Sequence, residues 1–89
     1  MSTIYLEDVL SEVSEEGDNG RAKFGDQYHL SDPEWLAVLA EELGEAATVV
    51  TQTSVPPVTD DRDRKAELRG ELLQVAAVAA RWIAALDDR

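Results

Sequence analysis

Two short strings in the sequence carry the residues whose chemistry is easiest to name. Glu41-Glu42-Leu43-Gly44-Glu45 reads E-E-x-x-E, and Glu71-Leu72-Leu73-Gln74 reads E-x-x-Q. Residues three apart on a helix share a face about one turn apart, so Glu42 and Glu45 point together, as do Glu71 and Gln74. Carboxylate and carbonyl oxygens arranged this way suit a hard cation such as Mg²⁺ or Mn²⁺. A solvated acidic face is the competing reading, because 19 of the 89 residues are Asp or Glu. Placement separates the two. Each string lies on the shoulder of an apolar stripe, and packing of those stripes would bring four oxygen-bearing side chains to one seam. Gly44 also asks for a reason, such as close packing or room for a ligand, since a glycine inside a helix costs roughly 1 kcal/mol relative to alanine.

The elements that must position these residues read as helices, and no strand-period pattern competes with them. A first helix spans about 4–16, with Ile4, Val9, Leu10 and Val13 on a rough apolar face. Gly17-Asp18-Asn19-Gly20 predicts a break, followed by a short functional loop to Leu30. A second helix, about 33–52, starts where Ser31 or Asp32 can cap it and Pro33 fits the first helical position. Its stripe is Leu36, Leu39, Leu43, Ala46/Ala47 and Val50, and Val55-Pro56-Pro57 is expected to stop it. A third helix, about 62–87, carries Leu68, Leu72, Val75, Ala79, Trp82 and Leu86 at alternating steps of four and three. From Leu72 to Leu86 it is apolar on most of its circumference, which predicts cover on more than one side and an interface between chains.

Composition narrows the function. At 89 residues this is one small domain, which buries little of its own surface and needs support from a metal or a partner. With no cysteine, disulfides and thiolate sites are excluded, so any metal must take oxygen ligands or the single histidine, His29. A net charge of −11 argues against binding a nucleic acid polymer, which needs clustered Lys and Arg. A phosphate ligand would instead be held through bridging cations. The first residues resemble no secretion signal, and no apolar run reaches the ~20 residues of a membrane span. A soluble, cytoplasmic protein without membrane contact is the expectation.

Paired helices bearing E-E-x-x-E and E-x-x-D are the signature of the MazG-like all-α nucleoside triphosphate pyrophosphohydrolases, and this chain resembles them. The resemblance extends through Lys23-Phe24-Gly25-Asp26-Gln27-Tyr28-His29 and Trp35 to Leu39. It continues through Glu41 to Ala46, and through Glu71 to Ala79 with Trp82. It implies an all-α helical hairpin chain forming a four-helix-bundle-type oligomer, either a homodimer or a homotetramer arranged as a dimer of dimers. It also implies Mg²⁺-dependent cleavage of a (d)NTP to the monophosphate and pyrophosphate. By motif position Glu42, Glu45 and Glu71 are implied metal ligands, and Glu41 is a further ligand or the base that orients water. Gln74 stands where the signature has aspartate. Its amide keeps a carbonyl oxygen for the metal but removes one negative charge, so weaker cation binding is expected.

Substrate contacts are expected from Lys23, Gln27 and His29 in the loop, from Phe24 or Trp35 stacking on the base, and from Lys65, Arg69 or Arg81 at the phosphates; a surface position is the alternative for His29. The alternatives are that both aromatics anchor helices and that the arginines pair with neighbouring acids. Two other functions compete. One is a non-catalytic helical interaction protein that keeps the fold, with Gln74 as the trace of a lost metal site. The other is an acidic mimic of DNA, disfavoured because the key acids lie beside apolar stripes.

Overall fold

A computed structural model describes residues 3–53, 56–57 and 59–89, with the side chains of 3 and 4 outside the description. Among the described residues the chain is all-helical: α1 Thr3–Phe24, α2 Asp32–Val50 and α3 Asp61–Asp87. α3 is the shared partner. Both other helices pack on it, and their backbones do not approach one another. The start of α2 meets the end of α3 through Asp32, which accepts from Trp82 Nε1 at 3.0 Å and from Arg89 Nη2 at 2.8 Å. α2 therefore runs antiparallel to α3. α1 runs parallel to it, since Glu12 pairs with Arg69 and Glu16 with Gln74 farther along.

The expected break in the first helix does not occur. α1 continues through Gly17 and Gly20 to Phe24. These glycines face α3, where the Arg81 side chain lies across them. A methyl group at Gly20 would sit 2.9 Å from Arg81 Nη1. Close approach accounts for Gly20, whereas a methyl at Gly17 would make an ordinary 3.9 Å contact with Arg81 Cγ. α1 ends instead at Gly25, which takes a left-handed φ of +80° and donates its N–H to Arg21 O at 2.8 Å.

α2 begins as its sequence dictates. Ser31 is the cap, accepting from the Glu34 N–H while Glu34 reaches back to the Ser31 N–H at 3.0 Å. It ends at Val50, two residues before the expected boundary, with Thr51 as C-cap. The expected stop at Val55 lies outside the described residues, as does Ile4's place on the α1 face. Asp60 caps α3 by accepting from the N–H groups of Arg62 and Asp63.

The core is small and centred on Trp35, which is 0% exposed, with Val78 and Ala85 of α3. Tyr28, Leu30, Val38, Leu39 and Trp82 close around it. The buried face of α2 is thus Trp35, Val38, Leu39, Ala46 and Val49, which keeps Leu39 and Ala46 of the expected stripe and replaces the rest. Leu36, Leu43 and Val50 point outward, each more than half exposed. On α3 the same holds: Ala77, Val78 and Ala85 are buried, whereas Leu72, Ile83 and Leu86 are not.

Candidate metal centre

Glu42 and Glu45 occupy the α2 turn that faces α3, and Glu71 answers them from α3. One carboxylate oxygen from each lies within 4.8 Å of the others. Antiparallel packing of α2 on α3 puts the middle of one helix against the second turn pair of the other, which is why residues so distant in sequence meet. Glu71 Oε2 is buried with no hydrogen-bond partner among the described residues. Burial pushes the Glu71 carboxyl up to about 7, and hydrogen bonding with Glu45 and the charges of Glu45, Glu42 and Glu67 add to the rise. Burial likewise raises the Glu42 carboxyl, with Glu45 and Glu41 contributing. Three carboxylates crowded this way repel when ionised, and a cation or a proton relieves the strain. The donor set is all oxygen, fitting Mg²⁺ or Mn²⁺.

The other expected site residues divide. Glu41 is exposed on α2 and lines a cavity of about 260 Å³ that it shares with Glu42, Gln27, Gln74 and Arg81. Gln74 spends its amide nitrogen on Glu16 of α1, at 2.8 Å. A carboxylate accepts only donors, so this end of the amide must face Glu16, leaving the carbonyl oxygen as what Gln74 can offer a cation. Arg81 donates to Gln27 Oε1 at 2.6 Å and to Gly25 O at 3.2 Å. Those bonds pin the loop, including Gln27, whose φ of 56° is left-handed.

Trp35 is a correction to the substrate-binding set. Fully buried, with Arg81 over its ring at 5.6 Å, it has no face left for a base. Lys65 lies elsewhere too, in a separate groove between the starts of α1 and α3 with Tyr5, Leu68 and Leu72. Lys23 is exposed, its ammonium 5.2 Å from the Phe24 ring centre. Arg69 pairs with Glu12, as its alternative reading had it. Gly44 meets no atom within 4 Å of an added methyl, so close packing inside the chain does not explain it.

Sequence reasoning missed Glu16. Its signal was the four-residue spacing of Glu12 and Glu16 on a helix that seemed to end there. No helix of the described residues is long and apolar enough to cross a membrane. No family model, curated protein or solved structure matches the chain.

Proposed function

We propose that the chain is a Mg²⁺-dependent nucleotide pyrophosphohydrolase of the MazG-like kind, cleaving a (d)NTP between its α- and β-phosphates. The observation that carries this reading is the meeting of Glu42, Glu45 and Glu71, with one Glu71 oxygen buried and partnerless. These three would hold the cation, which when bound neutralises phosphate charge and readies water for attack. Glu41, exposed beside Glu42 at the cavity wall, would accept the proton of the attacking water. Arg81 holds Gln27 and the loop against the same cavity. The three carboxylates alone would repel a nucleotide's phosphates, so binding should require the cation.

Assembly belongs to the same reading. Leu36, Leu43 and Val50 recur every seven residues along the outer face of α2, each more than half exposed. A second copy laid across this face would form a four-helix bundle. A pyrophosphate-release screen over all NTPs and dNTPs, with Mg²⁺ and with Mn²⁺, tests the function. Monophosphate and pyrophosphate should appear, and Glu45→Gln should abolish them. Cation-independent release, or diphosphate and orthophosphate as products, would contradict it. The scaffold alternative predicts no turnover and no specific cation site.

A further inference from the structure

The cavity beside the three carboxylates has features that phosphate cleavage does not use. Its floor is apolar, from Val38, Ala77 and Val78, and Phe24 stands at its edge, 59% exposed. Glu16 enters it from α1 and is held in place by Gln74 through the 2.8 Å bond that spans two helices. That bond occupies one lone pair, and each carboxylate oxygen has two, so both oxygens of Glu16 can still accept.

We propose that Glu16, held by Gln74, reads the base of the substrate from inside this cavity, and that the base it fits is guanine. The inference rests on the nucleotide pyrophosphohydrolase reading. Two parallel acceptors match two neighbouring donors, and guanine sets N1–H beside its 2-amino group. Adenine and cytosine place one amino group next to a ring-nitrogen acceptor, and uracil and thymine place one N–H between two carbonyls. A carboxylate repels those acceptors. Guanine's O6, next to N1–H, needs a donor. Gln27 lines the same cavity, and because its side-chain oxygen takes the Arg81 bond, its amino group is the end left to donate. Phe24 offers a ring face for stacking. Glu42 belongs both to the cavity wall and to the three-carboxylate set, so base and phosphates of one nucleotide are served from adjoining surfaces.

The test compares kcat/KM for pyrophosphate release from GTP, dGTP, inosine triphosphate and ATP, with Mg²⁺ varied, in the wild type, Glu16→Gln and Gln74→Leu. Inosine triphosphate is the guanine nucleotide without its 2-amino group. The wild type should favour GTP and dGTP over inosine triphosphate and ATP by roughly tenfold or more, as expected when a site is built to bond a substrate N–H. Glu16→Gln should erase that preference, lowering kcat/KM for GTP and dGTP and raising it for ATP, whose ring-nitrogen acceptor the carboxylate repels, while the Mg²⁺ requirement stays the same. Gln74→Leu should weaken the preference through KM rather than kcat, because Gln74 acts on the base through Glu16, which it positions. Equal wild-type rates with GTP and inosine triphosphate overturn the inference, and that comparison needs no variant to fold. A Glu16→Gln enzyme that needs more Mg²⁺ for every nucleotide makes Glu16 a cation ligand and also overturns it. Turnover without guanine preference removes this inference alone, whereas no turnover of any nucleotide removes the function and the inference together.

Discussion

Glu71 shows how a single side chain couples protonation, folding and cation binding. Its carboxyl is raised to about 7 in the folded chain from an ordinary value of 4.5. The folded state therefore binds the proton more tightly than the unfolded state. The stability this contributes is fully present below about 4.5 and is lost as pH rises through about 7. Thermal melts without divalent cation should show that loss between pH 5 and pH 8, set against Glu71→Gln, in which it should vanish. Mg²⁺ competes with the proton, so millimolar Mg²⁺ should raise the wild-type Tm more at pH 8 than at pH 5, and more than NaCl of equal ionic strength. An equal Mg²⁺ effect at both pH values would mean the cation acts elsewhere. Trp35 belongs to packing. Trp35→Ala should cost about 3–5 kcal/mol in denaturant unfolding, as large-to-small core changes do. Trp35→Phe should cost far less, because it also removes an indole N–H that is buried with no partner among the described residues. The burial of Trp35 was one of two readings the sequence left open, and the turn of Gln74 toward Glu16 was not legible in it. Both depend on which helix lies opposite, and a one-dimensional pattern does not carry that.

The elements were more legible than the faces they bury. Ser31 or Asp32 as cap, Pro33 and the three- and four-residue apolar steps located α2 and α3 because capping and periodicity are local physics. The error at Gly17 and Gly20 came from treating glycine as punctuation when its role is proximity. Arg81 fills the space where a side chain at Gly20 would be. The error in α2 came from its two apolar faces. Leu36, Leu43 and Val50 look like core by spacing, yet Trp35 and Val49, each one position away, are buried, while Leu39 and Ala46 of the expected stripe keep their place in it. The glycines give a paired prediction. An added methyl at Gly70 meets nothing within 4 Å, so Gly70→Ala should gain roughly 1 kcal/mol of stability from helix propensity. Gly20→Ala carries the same propensity gain but must displace the Arg81 guanidinium from Gln27. Its Tm should rise less than that of Gly70→Ala, or fall. Equal gains at both positions would show that Arg81 gives way freely and that its bonds to the loop matter little.

At the scale of the whole molecule the single chain is open. Its accessible surface of 6415 Å² exceeds the value expected for a monomer of this mass by roughly 1,200 Å². Its radius of gyration of 14.4 Å stands above the ~12 Å expected of a compact domain of this length. The excess area is more than one partner's share of a standard interface, about 800 Å². That surplus and the outward Leu36/Leu43/Val50 line support assembly with a second copy. The wild type should sediment as a dimer or larger at micromolar concentration, with a Tm that rises with concentration. Leu43→Glu should yield a monomer whose Tm no longer depends on concentration, and a wild type that is already a stable monomer would contradict the assembly. The central claim, that Glu42, Glu45 and Glu71 together hold a divalent cation, is tested most directly by titrating the protein with Mn²⁺ at pH 8. Loss of the free-ion electron paramagnetic resonance signal reports binding. The wild type should show saturable binding that Mg²⁺ displaces, and Glu71→Gln should weaken it by roughly tenfold or more, at least 1.4 kcal/mol in binding free energy. Mn²⁺ binding of equal strength in wild type and Glu71→Gln, or none in either, would contradict the claim.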